Sequence, residues 1–175
     1  MTGNTGTAAA PEPSLSAEFA GKVAVVTGGS AGIGRAIARA FAQRGAHVVL
    51  AGRNVAAVEK AAEDIARETR VSALAAQTDV AVPEQCERLI QQAVAHFGAV
   101  DVLVNNAAYF GVVPLLDAEP QTASRFLDTN LLGPLNCGRT LARWAIEAKR
   151  AATIVNVSSI AGARAVPGLA LYCAS

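Results

Sequence analysis

The residues with the clearest chemical potential lie where an early apolar run ends in Thr27-Gly28-Gly29-Ser30-Ala31-Gly32-Ile33-Gly34. Glycines spaced in this way make a tight turn, let the backbone approach a pyrophosphate and let a following helix pack closely on the preceding strand. The N-terminus of such a helix offers unpaired N–H groups and partial positive charge, which suits a phosphate. Thr27, Gly28, Ser30, Gly32, Ile33 and Gly34 are therefore candidate dinucleotide-binding residues. A second group lies late in the chain. Ser158-Ser159 closes an apolar run, and Tyr172 follows thirteen residues after Ser159. A hydroxyl and a phenol can donate hydrogen bonds and exchange protons. A serine pair ending a strand is equally a turn or a helix cap, and a tyrosine ahead of a helix is equally a packing residue. Asn130 stands four residues before Pro134. Proline has no N–H for the Asn130 carbonyl, which predicts a kink or break and leaves that carbonyl open to another partner.

Other reactive side chains point less far. Cys86, Cys137 and Cys173 are odd in number, widely separated and without a CxxC pair. Neither a disulfide framework nor a metal site is expected, and a reducing, cytoplasmic compartment fits best. Cys173 reads as packing. His47, at a strand start, and His96, at a helix end, read as solvated or capping residues.

The elements that must position these groups alternate along the chain. Short apolar runs cover Val23–Val26, Val48–Ala51, Val71–Ala75, Val100–Val104 and Thr153–Val157. They are valine-rich and barely alternate, as expected of strands buried on both faces of a parallel sheet. Helical patterns fill the intervals: Ile33, Ile37 and Phe41 share one face, then Val58, Ala62 and Ile65, then Leu89, Ile90, Ala93, Val94 and Phe97. Pro83 suits a first helical turn, and Gly45 and Gly98 suit left-handed caps. A longer helical region covers about 121–149. This alternation predicts an α/β doubly wound parallel sheet, Rossmann-like, with right-handed crossovers and no linker dividing it. Residues 1–18, rich in Thr, Gly, Ala, Pro and Ser, read as a disordered tail before a domain over 19–175.

Composition excludes several function classes. Of the 175 residues, 52% are hydrophobic and 17% charged, which argues for a well-buried fold. The formal charge is +1, so neither nucleic acid nor an anionic membrane is an expected partner. The apolar runs are too short to span a bilayer, and the start lacks the features of a secretory or transit leader.

The spacing TGxxxGxG resembles that of the short-chain dehydrogenase/reductase family, and four further segments match it in order. They are Asp79-Val80 after the third strand, Asn105-Asn106-Ala107-Ala108 after the fourth, Asn130-Leu131-Leu132-Gly133, and Ile154–Gly162 followed by Tyr172-Cys173-Ala174-Ser175. Ala108 stands where the family usually has glycine. The resemblance implies an oxidoreductase that interconverts a ketone and a secondary alcohol. In it Asp79, Val80, Asn106 and Ala107 contact the cofactor. Asn130, Ser159 and Tyr172 are catalytic: Tyr172 is the proton donor, Ser159 binds the substrate oxygen, and Asn130 holds a relay water through its carbonyl. The family's YxxxK motif reaches Ser175 without its lysine, so the chain is expected to be C-terminally truncated, with the first five strands present and the later ones missing. A catalytically silent nucleotide-binding module is the alternative reading. The family's full-length form implies a homo-oligomer.

Cofactor choice is read at the end of the second strand, Ala51-Gly52-Arg53-Asn54. An acidic residue there binds the ribose 2′-hydroxyl and repels a 2′-phosphate. Here Gly52 takes that place and Arg53, which can pair with phosphate through its planar fork, follows it. NADP(H) is expected over NAD(H). Ala31 argues the other way, because many NADP-preferring relatives carry a second basic residue there.

Overall fold

The computed structural model describes residues 17–175, so most of the expected tail lies outside the described residues. Five strands, β1 (Val23–Thr27), β2 (His47–Gly52), β3 (Ala73–Gln77), β4 (Val102–Asn105) and β5 (Thr153–Asn156), form one parallel sheet in the order β3-β2-β1-β4-β5. The helices between them are α1 (Gly32–Gln43), α2 (Val55–Thr69), α3 (Pro83–Phe97), α4 (Pro120–Leu127) and α5 (Gly133–Glu147), with a short α6 (Ala170–Ala174) last. This is the doubly wound α/β fold that the alternation predicts.

The period-two geometry of a strand splits the core. Val23 and Val25 face one side with Leu103, packed on Leu89 and Ile90 of α3 and Leu141 of α5. Ala24 and Val26 face the other with Val104, packed on Ala38 of α1 and Val58 and Ile65 of α2. Every residue of β1 is buried, which is why its sequence shows no alternation. Two strand expectations shift by two residues. β3 begins at Ala73, not Val71, and β4 at Val102, not Val100. In both cases valines in the preceding loop extend the apolar run without extending the ladder.

Helix ends follow local chemistry. Asn54 caps α2 by accepting from the Ala57 N–H at 3.1 Å. Pro83 opens α3, and Gly98 closes it at φ +80°. Gly45 is also left-handed, at φ +91°, and the turn it makes lies against Ala20. The long fourth helical region does not break at Pro134. A π-helical turn over Asp128–Leu132 joins α4 to α5, and Pro134 sits in the first turn of α5. The missing N–H is absorbed by widening the helix by one residue, a common form at functional sites. Cys86 and Cys137 meet between α3 and α5. Cys137, hydrogen-bonded to Cys86 and buried, is pushed far above the usual thiol range. All three cysteines are free thiols. Among the described residues no helix is long and apolar enough to cross a membrane.

Candidate active site

The functional side chains collect at the C-terminal ends of the strands, where the strand order reverses between β1 and β4. Open α/β sheets bind ligands at such a switch point. The turn after β1 is sewn to the loop after β4 by one hydroxyl. Thr27 Oγ1 accepts from the Asn106 and Ala107 N–H groups, both at 3.0 Å. In return Asn106 Nδ2 donates to the Thr27 carbonyl at 3.0 Å and, more weakly, to that of Gly28 at 3.4 Å. Thr27 is 2% exposed, so it holds the turn in shape and presents no surface to a ligand.

The glycines are explained by this crowding. Gly28 has φ +65°, and a Cβ there would stand 2.8 Å from Asn106 Nδ2; one on Gly34 would overlap the Gly28 carbonyl. Gly32, at φ +52°, has nothing within 4 Å of its missing Cβ, so it faces open space. The α1 N-cap, Ala31, supplies no side-chain cap, and the first turn holds no acidic residue. The orphan N–H groups of α1 are therefore left for an external anion. Ile33, grouped with the core face in the sequence, is 66% exposed beside that N-terminus; only Ile37 and Phe41 of the trio pack inward.

In front of the turn lies a cavity of about 640 Å³ that Gly28, Ser30, Arg53, Asp79, Val80 and Ala107 help to line. Gly52 is on its wall, and a Cβ there would press on Val58 Cγ2 at 3.0 Å. A side chain at that position requires the Val58 methyl to give way by a few tenths of an ångström. Asp79 is fixed locally: its N–H donates to Gln85 Oε1 at 2.7 Å and its Oδ1 accepts from the Ala81 N–H at 3.0 Å. Val80 is buried. Its carbonyl accepts from the Cys86 thiol at 3.3 Å, and its side chain packs where Gly133 leaves room. Thr78, Tyr109 and Thr129 also line this cavity and were not legible as site residues. Thr78 and Thr129 adjoin motif positions Asp79 and Asn130, the one signal that could have found them.

Ala107 and Ala108 also line a second cavity of about 530 Å³, which brings Asn130, Ser158, Ser159 and Tyr172 together. The extra methyl of Ala108 thus borders both spaces. Ser159 caps a 3-10 turn, accepting from the Ala161 N–H at 3.2 Å, while its O–H still has a proton to donate. The side chain of Asn130 is wholly engaged. Its Oδ1 accepts from the Tyr109 N–H at 2.7 Å, and its Nδ2 donates to the Tyr109 carbonyl at 3.0 Å and to Ser175 Oγ at 2.8 Å. Only its backbone carbonyl is left for chemistry, and Pro134 cannot bond to it. The Tyr172 ring meets Phe110 edge to face at 5.0 Å. Among the described residues no group of three or more metal-binding side chains exists.

Comparison with known proteins adds to this geometry. A family model described as "short chain dehydrogenase" matches residues 22–175. The chain is 38% identical to a 3-oxoacyl-[acyl-carrier-protein] reductase of Chlamydia muridarum over 88% of its own length and 62% of that protein's. It is 34% identical to a sorbitol dehydrogenase of Cereibacter sphaeroides, over 89% and 59%. Among solved structures, a short-chain type dehydrogenase/reductase from Mycobacterium marinum superposes with a TM-score of 0.85 at 31% identity, covering 90% of this chain and 64% of that one. An NAD+-bound xylitol dehydrogenase gives 0.83 at 34% identity, covering 89% and 59%. The chain spans about three fifths of the length of these relatives.

Proposed function

The chain belongs to the short chain dehydrogenase family, and from that premise we propose that it is the nucleotide-binding part of an NADP(H)-dependent oxidoreductase interconverting a carbonyl and a secondary alcohol. One observation carries this reading: the uncapped α1 N-terminus and its glycine cradle open on a cavity that shares Ala107 and Ala108 with a second one, lined by Asn130, Ser159 and Tyr172. The cradle fits a pyrophosphate, because the positions where a Cβ would intrude are glycine.

When bound, the nicotinamide supplies or takes up the hydride. The protein's own residues do the rest. Ser159 donates to the substrate oxygen and holds it beside Tyr172. Tyr172 gives its phenolic proton to that oxygen as alkoxide character develops, and takes it back in the oxidative direction. Asn130, whose side chain is committed to the Tyr109 backbone, positions a relay water through its carbonyl. Arg53 selects the 2′-phosphate, supported by its place on the wall of the first cavity and the absence of a carboxylate at Gly52. The three free thiols support a reducing compartment, the cytoplasm, and membership in this family supports a homo-oligomer.

The test is a pair of titrations followed by nicotinamide fluorescence. NADPH is expected to bind roughly ten- to hundredfold more tightly than NADH, a difference of about 1–3 kcal/mol. Arg53→Ala should remove most of that preference. Equal affinities in the parent chain, as NAD(H) use would give, reject the NADP assignment; failure to bind either rejects the function. Binding without any ketone-dependent oxidation, in a protein of the relatives' full length, would leave a silent nucleotide-binding module.

A further inference from the structure

The wall of the first cavity that carries Asp79 and Val80 is held in shape by residues outside that pair. Among the described residues, Asp79 Oδ2 and the Val80 N–H have no hydrogen-bond partner, and both residues line the cavity. The carbonyl of the peptide unit between them accepts from the Val82 N–H at 3.1 Å. The units before and after it are held by two consecutive side chains from the first turn of α3. Gln85 Oε1 accepts from the Asp79 N–H at 2.7 Å, and the Cys86 thiol donates to the Val80 carbonyl at 3.3 Å. Cys86 is fully buried, and Val80 Cγ2 lies 2.8 Å from where a Cβ on Gly133 would stand, so the loop is fixed from behind as well.

A free N–H and a free carboxylate oxygen on consecutive residues offer one donor and one acceptor. A 6-amino purine presents the reverse pair, an acceptor at N1 and a donor at its amino group. A 6-oxo purine presents an N–H and a carbonyl, which set donor against donor and acceptor against acceptor. Resting on the reading of the first cavity as the cofactor site, we propose that Gln85 and Cys86 are positioning residues for the base of the nucleotide. By fixing the peptide units on either side, they hold the Val80 N–H and the Asp79 carboxylate in register with a 6-amino purine. Neither Gln85 nor Cys86 is among the described residues that line the cavity, so each acts through the backbone group it bonds. A site built to hydrogen-bond one edge rejects an analogue that lacks it, because its own polar groups are then left unpaired.

The experiment titrates the 175-residue chain with NADPH and with reduced nicotinamide hypoxanthine dinucleotide phosphate, which differs only in the base. Nicotinamide fluorescence reports both. The parent should prefer NADPH by about tenfold, the worth of a hydrogen bond to the base. Gln85→Met, close in size but without the acceptor, should weaken NADPH several-fold and leave the analogue nearly unchanged, so that the preference collapses. Gln85→Glu, which still accepts, should keep most of it. Cys86→Ala should lower the preference and Cys86→Ser should recover it; if either variant at this buried position fails to fold, the Gln85 pair decides. A preference intact in Gln85→Met, an equal loss for both dinucleotides, or a parent that binds both equally would overturn the positioning role and leave the proposed function standing. A parent that binds neither dinucleotide rejects that function, and this role with it.

Discussion

β1 and β5 are alike in sequence and opposite in circumstance. Val-Ala-Val-Val-Thr and Thr-Ile-Val-Asn are both short, apolar and valine-bearing, yet every residue of β1 is buried and every residue of β5 is exposed. β1 lies in the middle of the sheet with α1 and α3 on its two faces, whereas β5 is the edge strand beyond β4. The same contrast separates the two cavities. The nucleotide side stands on buried strands and on a turn whose polar atoms are bonded to one another. The Tyr172 side stands on the edge strand, a one-turn helix and two apolar loops. A strand's composition records how apolar its environment must become; its place in the sheet decides what supplies that environment.

The contrast predicts effects of different size. Leu103→Ala on β4, which empties a fully buried position, should lower stability by about 2–5 kcal/mol, and Ile154→Ala on β5 by well under about half of that, in urea titrations. Equal losses would mean that β5 is covered in solution. Thr27→Val removes the acceptor for two N–H groups and should cost about 2 kcal/mol or more. It should weaken NADPH binding as well, because the turn loosens. Ser159→Ala, which loses one cap bond, should cost about 1 kcal/mol and leave NADPH affinity as it was. An unfolding series in which the two variants change places would show that the junction between β1 and β4 is not the rigid part of the site.

Val155→Lys tests the edge itself. A charge on an open apolar strand discourages strand-to-strand association, so light scattering should show less self-association with little change in stability. A monodisperse parent chain with cooperative melting would show that this edge does not drive assembly. The smallest effect is electrostatic and belongs to the nucleotide side. Asp64 on α2 bonds Lys60 at 3.3 Å, Arg67 at 2.5 Å and Arg35 of α1 at 2.8 Å. The hydrogen bond from Lys60, with help from Arg67, holds its carboxyl below the ordinary range. A depressed carboxylate contributes stability above its unfolded-state pKa, near about 4, and loses it as pH falls through the lower folded value. Asp64→Asn should therefore be less stable than the parent at pH 7, with the gap closing in more acidic solution. A gap independent of pH would assign the loss to packing.

Much of the molecule was legible from one sequence because its signals are local. A glycine turn between an apolar run and a helix is dictated by backbone clearance, and Gly28 and Gly34 are where the missing Cβ atoms have no room. The alternation of strand and helix specifies the doubly wound sheet, and Pro134 marked the irregular helix, although the protein widens a turn there and does not break it. The sequence by itself determined these features because each follows from neighbours a few residues apart. Only the tertiary structure decided that Thr27 is a clamp and not a contact, that the Asn130 amide is spent on Tyr109 and Ser175, that Ile33 faces outward, and that β5 is exposed. Each of these depends on a partner, or the lack of one, that the chain supplies from far along its length. A hydroxyl or an apolar side chain has the same local signature whichever neighbour folding brings to it.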